Sequence, residues 1–437
     1  MAKKKSLIKW VFLLLVVLVL LIIVFVVSLT PADERRELAD YVAEYNRISK
    51  PADFDPNENA VPYFDTAFEL MVEAPDDLDT LRNIWPADMN DNQIQTVRQW
   101  VEANEKALDY LKQAISKPYY WRLLNVDKND SLTMMDGADL RLSMQSAYLL
   151  CMEAKLMALD GQIEPATRQL IDVYNMGTFF AGPKTFIEQI VGRNIISGNA
   201  IRSAFQILDH TNPSPVILED FQRQITSLSS NQPFLIDVAV ERLRFYMSLD
   251  EMYADDGQRK FILFVKKSFL GALKRARAAR EKRKADIMYD YLAEAAHKTP
   301  WQLHSEGSDI NSVTEKIAED TSLLRIYRSS VYESVIFGSY WNQVHTDALI
   351  AATAILRYKA EAGRYPQDLQ QLVTAGYLEK LPMDPFSGSD LAYRVTGDNF
   401  ELYSFAEDFD DDGGKHDQHW ADKGDGDFVF WPVRKVN

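Results

Sequence analysis

Cysteine is almost missing from this chain of 437 residues; Cys151 is the single one. One thiol excludes an intrachain disulfide and a cysteine-based zinc cluster. It sits in the apolar run LLCMEAKLMAL, where a free thiol behaves as a small buried hydrophobe. Histidine is scarce as well, with six: His210, His297, His304, His345, His416 and His419. None falls in HExxH and no serine falls in GxSxG, so these signatures of a metalloprotease and a serine hydrolase are absent. His297 and His304 share a proline-containing stretch and form a weak ligand pair, whereas His345 lies on an apolar helix and reads as structural. Strand-type alternation is lacking from residue 33 to residue 340, which leaves that stretch to helices. Positive charge is outnumbered, 48 Lys and Arg against 64 Asp and Glu. The formal net charge of −16 argues against nucleic acid as a partner, because phosphates are repelled. With 47% hydrophobic and 26% charged residues the composition is that of a folded protein, long enough for two or three domains.

One long apolar run is present. From Leu7 to Leu29 the only charged residue is Lys9, and the run exceeds the ~20 apolar residues that cross a bilayer. Lys3, Lys4 and Lys5 precede it, and Asp33, Glu34 and Glu37 follow. The positive-inside rule then keeps residues 1–6 in the cytoplasm and puts the rest outside. A cleaved signal peptide is the alternative, but its core is normally ~7–15 residues and SLTPAD is a poor cleavage site. The sequence therefore predicts a retained single-pass anchor.

The body that follows is predicted to be helical. A short helix over 33–49 precedes Pro51, Pro56 and Pro62, which read as an extended connection. Helix is expected over 91–115, then a hairpin over 138–160 and 164–180 turned at Gly161. Further helices are expected over 184–208, 216–230 and 234–253. The text LMALDGQIEPATRQLIDVYNMG resembles one half of a tetratricopeptide-type pair, but no second copy follows at a ~34-residue period, and a simple Gly-capped turn serves as well. Residues 258–297 stand apart. Between Lys266 and Lys284 there are nine Lys or Arg against one acid, Glu281. This is either a helix that lies on anionic lipid or an acidic protein partner, or a long helix with a solvated charged face. Residues 297–309, HKTPWQLHSEGSD, read as a loop.

The last hundred residues are the most patterned. A long apolar helix over 332–362 ends at Gly363, and a short one follows over 368–374. Leu381-Pro382 and Asp384-Pro385 are extended. Leu391, Tyr393 and Val395 alternate with Ala392 and Arg394, and Phe400, Leu402 and Ser404 alternate likewise, across the turn Thr396-Gly397-Asp398-Asn399. Phe428–Trp431 makes a third strand. Between the second and third strands lies EDFDDDGGKHDQHWADKGDGD, eight Asp and one Glu in 21 residues. Carboxylates so crowded repel one another unless the loop is solvated or a cation is bound, and hard oxygen ligands on a loop suit Ca²⁺. Asp408, Asp410, Asp412 and Gly413 match the opening of an EF-hand loop, yet its twelfth position is His419 in place of Glu.

In this order, AGRYP, GYLEKLPMDPFSG, LAYR, FELYSF and the acidic Gly-rich loop resemble the periplasmic domain of the major pseudopilin of type II secretion systems. They also resemble the C-terminal ends of uncharacterised bacterial envelope proteins. The resemblance covers about 90 residues, a fifth of the chain. It implies a long helix on a small antiparallel sheet and a Ca²⁺ held by the Phe405 carbonyl, Asp408, and Asp425 or Asp427. With the other loop carboxylates the predicted ligand set is Phe405, Asp408, Asp410, Asp412, Asp425 and Asp427. Two departures stand out. The module follows some 300 residues of helical body where a pseudopilin has a processed leader, and Ala406-Glu407 replaces the usual Gly-Ala or Gly-Pro. Filament assembly therefore does not carry over.

The expected fold is mainly α, with an N-terminal transmembrane helix, a helical ectodomain and a small α+β C-terminal module. The expected division is 1–30 as cytoplasmic tip and anchor, 31–330 as helical ectodomain and 331–437 as the module. The expected role is interaction or scaffolding among other envelope proteins, from a bacterial inner membrane with the ectodomain in the periplasm or extracytoplasmic space. The alternative is an envelope enzyme with a site in the helical body.

Overall fold

Caps and breakers written in the sequence set where the helices begin. The computed structural model describes residues 37–124, 137–231, 235–252, 264–327, 331–416 and 426–434. The expected anchor, Leu7–Leu29, lies outside these. Among the described residues no helix is long and apolar enough to cross a membrane. The first helix is α1 (Leu38–Ser49). The prolines after it do not make an extended connection throughout. Pro56 opens a 3₁₀ turn and Pro62 sits in the first turn of α2 (Val61–Leu70), where its missing N–H would have had no partner anyway. A single turn, α3 (Leu78–Leu81), leads to α4 (Asp91–Ala103) and α5 (Glu105–Ile115). The one helix expected over 91–115 is split at Asn104. Its buried amide accepts from the Val72 N–H at 2.8 Å and donates to the Trp100 carbonyl at 2.9 Å, tying the break to the preceding loop.

The predicted helical hairpin is present as α6 (Gly137–Leu159) and α7 (Ile163–Thr178), with Gly161 at φ 83° in the turn. Next, α8 (Phe186–Arg193) opens with a Thr185/Glu188 capping box and passes through a π-helical stretch, Asn194–Ile201, into α9 (Arg202–His210). The chain continues through α10 (Pro215–Asn231), α11 (Ala239–Met252) and α12 (Phe264–Ala295). The stretch 297–309 is not wholly a loop. Thr299 caps a short helix, α13 (Pro300–Ser305), with Pro300 at its start. Two more helices, α14 (Ile310–Ala318) and α15 (Leu323–Tyr327), precede the 32-residue α16 (Val331–Ala362).

The C-terminal elements follow the sequence reading closely. After Gly363 (φ 72°) comes α17 (Leu369–Thr374), N-capped by Asp368. A three-stranded antiparallel sheet of order β1-β2-β3 is built from β1 (Ala392–Thr396), β2 (Asn399–Ser404) and β3 (Phe428–Trp431). Thr396 pairs with Asn399, which leaves Gly397 and Asp398 at the centre of the turn. The protein is thus mainly helical with one small antiparallel sheet.

Helix α16 is the shared spine. It packs against α8, α10 and the π-helical stretch, and also against β2 and β3. Ala348, Ala351, Ala352 and Ala354 are fully buried along it, and small side chains let neighbours approach closely. Among the described residues one apolar core runs from Ala60 to Trp431, so the helical body and the C-terminal elements share a common interior. Each fully buried Leu or Phe in it contributes roughly 1.5–3 kcal/mol. A smaller cluster, including Tyr41, Val42, Tyr45, Val240 and Leu243, fastens α1 to α11.

Candidate metal centre and its surroundings

The acidic loop is positioned from its root. Asp384, in the LPMDP segment, is buried and accepts from Ser404 Oγ (2.7 Å), the Phe405 N–H (3.0 Å) and the Phe386 N–H (3.1 Å). It therefore clamps the end of β2, where the loop begins. Burial raises its pKa and these hydrogen bonds pull it back. The chain then turns sharply through a 3₁₀ turn, Ala406–Asp408, with Ala406 at φ 62° and Phe409 at φ 67°. Left-handed backbone at two non-glycine residues costs on the order of 1–2 kcal/mol each, so the surroundings must hold it. They do. The Phe409 ring stacks on His304 with centroids 4.2 Å apart, and Trp341 Nε1 donates to Glu407 Oε1 at 2.7 Å.

This turn brings Asp408, Asp410 and Asp412 together, with one carboxylate oxygen of each within 4.8 Å of the others. At that spacing like charges repel by about 1 kcal/mol in bulk water and several-fold more where water is displaced. The two ends of the loop are cross-stitched. Asp408 Oδ2 accepts from the Gly426 N–H at 2.5 Å, Asp427 Oδ2 from the Gly414 N–H at 2.6 Å, and the Lys415 carbonyl from the Asp427 N–H at 2.9 Å. His416 bridges to Asp427 in parallel, and its Nδ1 accepts from the Val429 N–H at 3.1 Å.

Three carboxylate oxygens are left over. Asp408 Oδ1, Asp412 Oδ2 and Asp427 Oδ1 are each shielded from solvent without a hydrogen-bond partner, and Asp427 is only 1% exposed. Burial pushes the Asp427 carboxyl up to about 6, with Asp411 and Asp412 adding to it. Burial also raises Asp408, with Asp410 and Asp412 adding while amide donors oppose. Buried unpaired carboxylate oxygens are costly, and a hard cation satisfies them. Among the described residues the group offers acidic oxygen donors on an irregular loop, a donor type that suits Ca²⁺, with neither a nitrogen nor a sulfur donor in it.

Of the predicted ligands, then, Asp408, Asp410 and Asp412 are brought together and Asp427 faces the same loop from its far end. Phe405 stands at the loop root with its amide on Asp384, and Asp425 lies outside the described residues. The sequence reading missed the supporting residues. The sequence marks Asp384 only as extended chain, although an Asp before Pro and an SGS turn is a ready acceptor for local N–H groups. Arg394 reads in the sequence only as a strand residue. It pairs with Glu401 and donates to the Gly413 carbonyl at 2.7 Å, holding the far side of the loop. Tyr403 Oη donates to Asp411 Oδ1 at 3.1 Å, and Asp411 is not among the three carboxylates that converge.

The other singled-out residues sort differently. Cys151 is buried, and burial pushes its thiol up to about 11. His345 is half-buried in an aromatic nest with Trp341, Phe428 and Phe430, its Nδ1 donating to the Trp341 carbonyl at 2.7 Å. His297 and His304 do not meet as a ligand pair: His304 stacks under the acidic loop, while His297 lines a groove of about 680 Å³ between α1, α11 and residues 235–238. That groove also holds Arg242 and Tyr246, whose polar ends are already engaged by Asp290 and Asp286. In the basic stretch, Glu281 is buried and accepts from the N–H groups of Ser322, Leu323 and Leu324, capping α15. Arg277, Arg280 and Arg283 are all exposed, and Arg280 pairs with Asp320.

No family model matches the chain, and no curated protein or solved structure matches it.

Proposed function

We propose that the protein is a single-pass envelope protein whose helical body and calcium-stabilised, pseudopilin-like C-terminal layer serve interaction or scaffolding. The observation that carries this reading is the set of three shielded, partnerless carboxylate oxygens on Asp408, Asp412 and Asp427, in a loop bridging β2 and β3. A bound Ca²⁺ supplies positive charge and six to eight oxygen-coordination positions. Asp408, Asp410 and Asp412 would hold it, with Asp427 and the Phe405 carbonyl as further donors. The consequence is mechanical. The loop rests on α13 through Phe409 and His304 and on α16 through Glu407 and Trp341, so ordering it ties the sheet to the helical body. The runner-up, an enzyme, is favoured less because the polar ends of Arg242 and Tyr246 in the large groove are engaged by Asp290 and Asp286.

The proposed topology rests on Lys3–Lys5 and the Leu7–Leu29 run, with the body outside the bacterial cytoplasmic membrane. Protease added to intact spheroplasts should digest the body. The exposed Arg277 and Arg283 extend the proposal to an anionic lipid surface facing the Lys266–Lys284 stretch, seen as salt-sensitive binding to acidic vesicles.

The calcium reading is tested with the full chain in detergent, melted in chelator, in Mg²⁺ and in Ca²⁺. Binding to the folded loop alone predicts about 2.7 kcal/mol of stabilisation at a hundredfold excess of Ca²⁺ over Kd. Asp408→Asn should remove most of that gain and Asp398→Ala, in the hairpin turn, none. Identical melts in Ca²⁺, Mg²⁺ and chelator would leave only a solvated acidic loop.

A further inference from the structure

A second set of partnerless polar atoms lies deep in the helical body, away from the acidic loop. Arg193 ends α8, just before the π-helical stretch. Its Nη1 donates to the Val335 carbonyl of α16 at 2.7 Å, and its Nε is buried with no partner. Gly338 permits this approach, since a Cβ there would collide with the guanidinium. Facing it from α16 is Asn342, 1% exposed, with both Nδ2 and Oδ1 unsatisfied. Arg193 and Asn342 line one small, partly open cavity of about 30 Å³, walled also by Gly177 and Gly192, where α7 and α8 touch backbone to backbone. π-Helical insertions of this kind occur often at functional sites.

The chamber is positive and uncompensated. Among the described residues no acidic side chain pairs with Arg193, and burial alone lowers its pKa, to about 10. An isolated buried charge is costly enough that proteins pair it or neutralise it. One water would satisfy hydrogen bonds but not the charge.

We propose that this cavity binds a compact monovalent anion between the Arg193 guanidinium and the Asn342 amide. The volume sets the class: room for about two water-sized bodies, which admits a halide or a carboxylate head and excludes a bulky oxyanion. Two sources share this chemistry. One is a free ion. The other is the carboxylate of a ligand whose apolar part occupies the 680 Å³ groove, because Leu235 and Ile236 wall both spaces. Gln189 pins that partition by donating to the Asp237 carbonyl (2.8 Å) and accepting from the Asp237 N–H (3.0 Å).

The test is a set of melts of the full chain in detergent at constant ionic strength, in gluconate, chloride, formate and octanoate. Chloride and formate should each raise the midpoint over gluconate, and Arg193→Met should abolish the rise. Equal effects of formate and octanoate identify a free ion; octanoate acting at tenfold or more lower concentration identifies a ligand head group. Because Arg193→Met could fail to fold, the wild-type chain is also examined by ³⁵Cl NMR, where formate should remove an excess chloride linewidth. Midpoints independent of the anion, an anion effect that survives in Arg193→Met, or no excess linewidth would each overturn the proposal and leave a water-filled void.

Discussion

Lys155 offers a sharp test of how the helical body is held together. It is 1% exposed on α6, and its Nζ donates to the Arg82 carbonyl at 2.7 Å. Burial lowers its pKa from 10.5 to about 8; nearby Cys151 opposes this, while Arg202 and Arg82 add to it. The shift from 10.5 to about 8 corresponds to about 3 kcal/mol, at roughly 1.4 kcal/mol per tenfold change in a proton equilibrium. The sign follows from where the proton sits. Between about pH 8 and pH 10.5 the unfolded chain holds the proton and the folded chain does not, so stability rises with pH through that window. Below about pH 8 the folded state bears the full penalty. Lys155→Met keeps the volume and removes the amine, and it leaves the Arg82 carbonyl without its donor, a loss of about 1–2 kcal/mol. Near pH 7 the variant should therefore be more stable than wild type by about 1–2 kcal/mol. Near pH 10 the order should level or invert. Urea unfolding of both proteins at the two pH values measures this. The quantity to read is the change in the stability difference, about 2 kcal/mol or more. A difference that stays constant with pH would refute the reasoning, because it would mean that Lys155 is charged in both states or in neither.

Other outcomes follow from single residues. Asp384→Ala leaves Ser404, Phe405 and Phe386 donors unpaired and should cost about 3 kcal/mol in urea unfolding, while also removing the stabilisation by Ca²⁺. Glu281→Ala strips the cap from the three N–H groups at the start of α15 and should cost about 2 kcal/mol; a Glu281→Gln variant should recover part of it. His345 is pushed down to about 4 by burial, so its NMR signals should stay fixed between about pH 5 and pH 8. Gly388→Ala faces both φ 68° and the Trp301 ring, and should lower the melting midpoint and shift tryptophan emission.

What could be read from the sequence depended on how local its cause was. The C-terminal sheet was legible because the strand alternation, the Gly397-Asp398 turn and Gly363 each act within a few residues. The break at Asn104 was not, because its cause is a hydrogen bond to Val72, 32 residues away. Pro62 and Pro300 misled for another reason: a proline ends one element and begins the next equally well, and only the following residues decide which. At the candidate site the aspartates were visible as composition. Their supports, Asp384, Arg394 and His304, come from three separate segments and had no shared pattern to find. Arg193 and Asn342 are single letters in two helices, and only the packing of α16 on α8 makes them neighbours.

The place of α16 in the chain also bears on the order in which the molecule is made. Residues that pack α8, α10 and the π-helical stretch against their final neighbours are numbered above 330, so three quarters of the polypeptide emerges before its central helix exists. Until then the faces that receive Ala348, Ala351 and Ile355 stand open, and partly built chains with open apolar faces aggregate. The helical body is therefore expected to complete its folding only at the end of synthesis, and chains cut short before residue 331 should be recovered as insoluble or chaperone-bound material.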